Sequence, residues 1–92
     1  MANLSVQVAC TAARYWVTID TTDMYDTDKV PADQSPQPFG AGLHHLFWWM
    51  EGASGDTISI QVIGPVGPIG SPITGQTPPL QSAAGDYATF NT

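Results

Sequence analysis

The chain has 92 residues, of which 42 % are hydrophobic and only 11 % are charged, and its formal net charge is −6 at pH 7. This length allows one hydrophobic core, so we expect a single domain over residues 1–92, and the apolar fraction is too high for a wholly disordered segment. The negative charge disfavours binding to nucleic acid and to anionic membrane surfaces. No apolar run approaches the roughly 20 residues that span a bilayer, so we expect a soluble protein.

The amino-terminal residues predict a strand rather than a leader. Residues 4–10 alternate apolar side chains with small or polar ones, the pattern of a strand with one buried face. A basic segment followed by an apolar stretch is absent, so we expect a cytoplasmic protein, or one exported by a route without a visible signal peptide. Cys10 is the only cysteine. It excludes an intrachain disulfide, and its place on the apolar side of the strand favours a buried, inert thiol.

A second strand is predicted over residues 14–21, which are rich in β-branched and aromatic side chains. One face of this strand is apolar through Val17 and Ile19. Strand alternation therefore places Trp16 on the opposite face.

Residues 22–40 predict a long ordered loop. Three prolines in this stretch lack a backbone donor, and its Asp, Ser and Gly residues favour turns. A loop of this length is uncommon in a compact domain and is usually functional or disordered. This stretch is therefore the first place to look for a site.

Acidic residues are concentrated at the end of the second predicted strand and the start of this loop. Hard cations such as Ca²⁺ take several carboxylates and carbonyls from a turning loop, so a calcium site is one interpretation. The spacing is not the EF-hand pattern, and a solvated loop whose Asp residues form Asx-turns is the favoured alternative. The candidate metal ligands are Asp20, Asp23, Asp26 and Asp28, with Asp33 further along.

Residues 43–51 read LHHLFWWME, and this aromatic density between two glycines predicts a strand buried on both faces. A turn at residues 52–56 and renewed alternation over residues 57–63 predict an antiparallel hairpin with it. The segment 42–62 resembles the late hairpin of immunoglobulin-like modules, in which a strand opening with Gly alternates inward apolar residues before a Gly-Asp turn. It covers about a quarter of the chain, and the Cys–Trp–Cys hallmark of antibody domains is absent.

Residues 64–79 contain five of the eight prolines and four glycines. They predict an extended connector or an edge strand, because proline cannot donate within a central strand. The tail, residues 85–92, predicts a last short strand. The expected fold is all-β, a small antiparallel β-sandwich of immunoglobulin-like or jelly-roll-like type, since one such sheet alone would leave an apolar face in water.

The aromatic strand also predicts the functional surface. If its even-numbered residues face the core, the odd-numbered ones share an outer face with a neighbouring strand. Such an apolar face exceeds what monomers usually expose, so we expect the Pro-rich segment, a second subunit or a ligand to cover it. The predicted binding or interface residues are Trp16, His45, Phe47 and Trp49.

Large aromatic side chains mostly serve cores and interfaces. The favoured function is therefore a non-catalytic module that self-associates or docks on a protein partner through this face. Flat indole rings also stack on sugars, so the alternative is a carbohydrate-binding, lectin-like module, with or without calcium.

Catalysis is not expected, and no cofactor is predicted. The sequence contains no nucleotide-binding glycine loop, nucleophile elbow or CxxC pair. His44 and His45 are adjacent and point to opposite faces of a strand, so they cannot bind one metal together. An enzyme would need one of them near an acid or Cys10 in a cleft, whereas a satisfied, semi-buried core residue is the favoured role of His44.

Overall fold

The computed structural model of the chain describes residues 2–28 and 36–92. Within these residues the chain forms eight β-strands and no helix, so the described part holds no helix that could cross a membrane. The strands are β1 (Ala2–Cys10), β2 (Arg14–Ile19), β3 (Thr22–Asp26), β4 (Gln37–Phe39), β5 (Leu43–Glu51), β6 (Thr57–Gly64), β7 (Gly67–Gln76) and β8 (Ala83–Asn91).

Two four-stranded sheets confirm the prediction of an all-β, sandwich-like fold. One sheet, here called the β1 sheet, has the strand order β4-β1-β6-β7, and the other, the β5 sheet, has the order β3-β2-β5-β8. All neighbouring strands in them are antiparallel. Both sheets contribute side chains to one core, which includes Leu4, Val6, Ile58 and Ile60 from the β1 sheet and Val17, Ile19, Leu46 and Met50 from the β5 sheet.

Strand β5 alternates strictly between a buried and an exposed face. Leu46 and Met50 are fully buried, whereas Phe47 and Trp49 are exposed. The predicted division of this strand into two faces is confirmed, but the prediction that both faces are buried is wrong. Within the described residues, the β1 sheet packs against the inner face of β5, and no second layer covers its outer face.

The prediction of one continuous loop over residues 22–40 is wrong at both ends. Residues 22–26 form β3, because Met24 enters the core and Tyr25 stacks on Tyr15 with ring centroids 5.2 Å apart. Residues 37–39 form β4, an edge strand in which Phe39 is buried. Pro38 is tolerated there because an edge strand pairs on one side only, so a missing backbone donor can face solvent. Residues 29–35 of the predicted loop lie outside the described residues.

The predicted hairpin of β5 with β6 is also wrong, because the two strands belong to different sheets. The turn between them is held by Asp56, which accepts hydrogen bonds from the Ala53 N–H at 2.7 Å and the Thr11 hydroxyl at 2.9 Å. Both strands carry one apolar face. Because the two strands lie in opposite sheets, their apolar faces meet across the core and both are buried.

Within residues 64–79, for which the sequence predicts an extended connector or an edge strand, residues 67–76 form strand β7 at the edge of the β1 sheet. The edge strand is therefore confirmed, and the Pro/Gly-rich connector is wrong for these ten residues. Strand β7 approaches the core at Gly75, where a Cβ atom would overlap the ring of Trp48. Strand β8 is the last short strand predicted for residues 85–92. It is longer than predicted, with nine residues that begin at Ala83.

Candidate functional site

The outer face of the β5 sheet carries a cluster of exposed aromatic side chains. Residues directly opposite each other in an antiparallel pair share a face of the sheet. Trp49 lies opposite Trp16 of β2, and Phe47 lies opposite Tyr87 of β8. The aromatic face is defined here as Trp16, His45, Phe47, Trp49 and Tyr87.

Three of these rings form a continuous strip along and across the strands. The Phe47 ring centroid lies 5.8 Å from that of Tyr87 and 6.4 Å from that of His45, with interplanar angles of 34° and 18°. These distances are in the range of aromatic pairs that stabilise each other. Phe47, Trp49 and Tyr87 nevertheless remain 46 %, 44 % and 60 % exposed.

The Trp49 indole is placed by a glycine on the neighbouring strand. Gly85 lies opposite Trp49, and a Cβ atom at Gly85 would overlap the six-membered ring of the indole. The ring therefore lies over the β8 backbone, in space that any other residue at position 85 would occupy. An aromatic ring packed on a strand glycine protects the backbone there and leaves part of its own surface in solvent.

Trp16, at the other side of the face, is partly covered by Arg14. The guanidinium carbon lies 5.3 Å from the Trp16 ring centroid, within cation–π distance. Asp28 holds this guanidinium with contacts of 2.6 and 3.0 Å, and Glu51 lies 3.4 Å from it. Hydrogen bonding to Arg14 lowers the pKa of Asp28, so this carboxyl is ionised. Arg14 is thereby neutralised, and Trp16 is less accessible than Phe47 and Trp49.

The four acids predicted as metal ligands lie at different places. Asp20 lies in the turn before β3, Asp23 lies within β3, and Asp26 and Asp28 lie at and beyond its far end. Asp28 is paired with Arg14. No three His, Cys, Asp or Glu residues of the described ranges come together as a possible metal site. Asp33 lies outside the described residues.

Asp20 instead forms an ion pair with His44. Its Oδ2 lies 2.7 Å from His44 Nδ1, and its Oδ1 accepts the His45 backbone N–H at 3.0 Å. The backbone hydrogen bond from His45, followed by that from His44, lowers the pKa of Asp20. Asp20 has a φ of 54°, a left-handed conformation that Asp tolerates better than most residues.

His44 is buried, with its ring near those of Phe39 and Phe90 at centroid distances of 5.5 and 5.6 Å. Its second ring nitrogen, Nε2, lies 2.7 Å from the carbonyl oxygen of Gly40. Both ring nitrogens therefore face acceptors, which favours the doubly protonated imidazolium. The hydrogen bond to Asp20, and then that to Gly40, raises the pKa of His44.

An open cleft of about 870 Å³ is lined mainly by residues of β1, β6 and β7, and none of the residues that line it is charged. Cys10 lies in this cleft with its sulfur 3.9 Å from that of Met50, and burial raises the pKa of its thiol. Tyr15 also lines the cleft, and hydrogen bonding with Tyr25 raises its pKa to about 12. Both groups stay protonated near neutral pH, so neither is an activated nucleophile or base.

Sequence reasoning found four members of the aromatic face and missed Tyr87. The sequence predicts only a closing strand around Tyr87, since its register against β5 depends on the tertiary fold. The pairing of Asp20 with His44 was missed for the same reason, because 24 positions separate the two residues.

Comparisons with known proteins do not assign this chain to a family. No family model matches it, and no match was found among curated proteins or solved structures.

Proposed function

We propose that this chain is a non-catalytic binding module and that the aromatic face docks on a partner protein. The side-by-side exposure of Phe47, Trp49 and Tyr87 on one sheet face carries the proposal. Groups of exposed apolar side chains on one face mark interaction sites more often than single ones do. Protein interfaces are enriched in Tyr, Trp and Phe at their centres.

The charges around the aromatic face indicate the chemistry of the partner. Asp26 lies opposite Trp16 on the outer face, and Glu51 lies opposite Arg14. Arg14 is already engaged by Asp28 and Glu51, so the described residues of the rim on this side are acidic. A partner with an apolar centre and a Lys- or Arg-rich rim complements it. A second copy of this chain would bring the same acidic rim, which favours a different protein on this surface.

The chemistry of the titratable side chains supports a non-catalytic role. Both ring nitrogens of His44 are hydrogen-bonded, which leaves no free position for proton transfer to a substrate. The pKa of the Cys10 thiol is raised, whereas a nucleophilic cysteine needs a lowered one.

We also propose that the sandwich is immunoglobulin-like or jelly-roll-like. This assignment is supported by two antiparallel four-stranded sheets whose consecutive strands repeatedly cross from one sheet to the other. Modules of this architecture commonly bind through a sheet face or through loops at one end.

Carbohydrate is the second candidate ligand, and the position of Trp49 over Gly85 favours it. An indole ring that lies along a sheet offers a flat apolar surface to a sugar ring. Thr18 lies opposite Phe47, and Thr89 lies opposite His45, so hydroxyl groups flank the rings on the same face. These groups can exchange hydrogen bonds with sugar hydroxyls.

The proposal is tested by selecting a random peptide library on the wild-type chain and measuring the affinity of the enriched peptides. We expect Lys or Arg beside apolar residues in those peptides. Trp49→Ala should weaken binding by about 2 kcal/mol, which is about thirtyfold, as for an aromatic anchor at an interface. Val66→Ala is the matched control, because Val66 is fully exposed and lies between β6 and β7, away from the β5 sheet.

Equal binding to wild type and to Trp49→Ala would contradict docking through the aromatic face. A parallel panel of purified polysaccharides separates the two candidates. If a polysaccharide binds wild type and loses affinity for Trp49→Ala while no peptide does so, the carbohydrate candidate replaces the protein partner.

A further inference from the structure

The four outer edges of the two sheets differ in how their backbone groups are shielded from pairing. Strand β4 has three residues including Pro38, and β3 has five residues with a register shift beside Val17. Strand β7 contains Pro68 and Pro72, and its pairing with β6 is interrupted. Short strands, prolines and irregular pairing all restrain edge-to-edge association. Strand β8 has none of these features, since nine residues pair with β5 without a shift and none is proline.

The hydrogen bonds at the end of β8 show which of its backbone groups face outward. Gly42 and Thr92 exchange two backbone hydrogen bonds, of 3.4 and 3.0 Å. Hydrogen-bonded and non-bonded pairs alternate along an antiparallel ladder, so the even-numbered residues of β8 bond to β5. The odd-numbered residues direct their N–H and C=O groups to the open edge: Ala83, Gly85, Tyr87, Thr89 and Asn91.

One outward donor of this edge is already occupied. The Tyr87 N–H donates to Oδ1 of Asp86 at 2.8 Å. Within residues 2–28 and 36–92, the other outward backbone groups of β8 have no hydrogen-bond partner. Gly85, Thr89 and Asn91 are also exposed. Among the described residues, nothing therefore pairs with the β8 edge, and the Asp86 carboxylate occupies only the Tyr87 N–H at its centre.

We propose that β8 pairs antiparallel with β8 of a second copy about a two-fold axis at Tyr87. The two β5 sheets then form one eight-stranded sheet. In this register Gly85 lies opposite Thr89 of the second copy, and Ala83 lies opposite Asn91, so every outward residue meets another outward residue. A two-fold axis at residue 86 would instead place two Asp86 carboxylates directly opposite each other, which is destabilising.

The distribution of charge and of aromatic rings favours this arrangement. Asp26 and Asp28 lie on the β3 side of the β5 sheet, the edge farthest from β8. Pairing through β8 therefore keeps the acidic edges of the two copies apart. Tyr87 stands next to its counterpart at the axis, and each contacts its own Phe47 at 5.8 Å. The rings of both copies then line one continuous surface. The pairing of the two β8 strands does not require a partner to bind that surface.

The mass of the wild-type chain by light scattering and sedimentation over a range of concentrations tests the proposal. We expect a dimer mass as the concentration rises. Thr89→Pro should weaken dimerisation by about tenfold or more, because it removes an outward donor in each copy. Thr89→Ala keeps the backbone N–H and is the matched control. Proline is tolerated at edge positions whose N–H faces solvent, and circular dichroism verifies the fold.

Asp86→Ala gives a second, opposite readout. Removing this carboxylate frees the Tyr87 N–H and should strengthen dimerisation relative to wild type. A monomer mass for both wild type and Asp86→Ala at all concentrations would overturn the proposal. So would a dimer that tolerates Thr89→Pro but is lost with Trp49→Ala, because that result assigns association to the aromatic face.

Discussion

Trp48 packs across the sandwich against Gly75, where even a Cβ atom would overlap the indole ring of Trp48. Trp48 lies in β5 and is 7 % exposed, whereas its neighbour Trp49 points to the outer face. The two adjacent tryptophans therefore have separate roles, one in the core and one on the aromatic face.

Substituting each tryptophan should separate these roles. Trp48→Ala leaves a large cavity and should cost about 3–5 kcal/mol, a major part of the roughly 5–15 kcal/mol that stabilises a domain. Trp49→Ala should remain folded, because its ring is nearly half exposed. Urea denaturation followed by circular dichroism measures both. Unfolding of Trp49→Ala together with a stable Trp48→Ala would contradict the assignment of the two faces.

A methyl group at Gly75 should destabilise the fold through Trp48. Gly75→Ala forces the indole or the β7 backbone to move, and such overpacking costs about 1–3 kcal/mol. Gly40→Ala is the matched control, because a Cβ atom at Gly40 meets no atom within 4 Å and its φ is not in the left-handed region. Thermal unfolding compares the two variants. A Gly75→Ala chain as stable as Gly40→Ala would show that Trp48 repacks freely.

Stability should depend on pH through the pair of Asp20 and His44. The folded-state pKa of His44 is raised above its ordinary 6.5, so its contribution is complete below that pH and is lost as the pH rises through the folded value. The pKa of Asp20 is lowered from 3.8, so its contribution is present above that pH and is lost as the pH falls through the folded value. The pair should stabilise the fold most between about pH 4 and 6.5.

The variant Asp20→Asn tests this pH dependence. Asn tolerates the left-handed φ at position 20, but it cannot form the ion pair with His44. The free energy of unfolding, measured from pH 5 to 9, should fall less steeply for Asp20→Asn than for wild type. His45→Gln is the control, because His45 is exposed and its side chain is not part of the pair. Parallel profiles for Asp20→Asn and wild type would exclude the pair as the cause.

Calcium should leave the melting temperature unchanged. Asp28 is engaged by Arg14 and Asp20 by His44, and the described residues bring no three ligands together. An ion that binds only the folded state would stabilise it by mass action. Calorimetry with added calcium and then with chelator measures the effect. A rise of several degrees that the chelator reverses would establish a calcium site.

The sequence predicts the two faces of β5 and the strands β1, β2 and β6, and it gives the edge position of β7 as one of two alternatives. These features depend on side-chain alternation and on the missing donor of proline, both of which are local. Strand β3 was missed because Met24 is its one fully buried side chain and lies among acids and turn-forming residues. A period of two cannot be recognised from a single buried position.

The sequence by itself determined which side chains of a strand point inward, because successive side chains alternate whatever lies beside the strand. Only the tertiary structure decided which strands are neighbours. The turn at residues 52–56 allows β5 and β6 to lie side by side or to face each other, and burial of both apolar faces selects the second arrangement. The same choice of neighbours brings Tyr87 to Phe47 and Asp20 to His44, over separations in the chain that no local pattern spans.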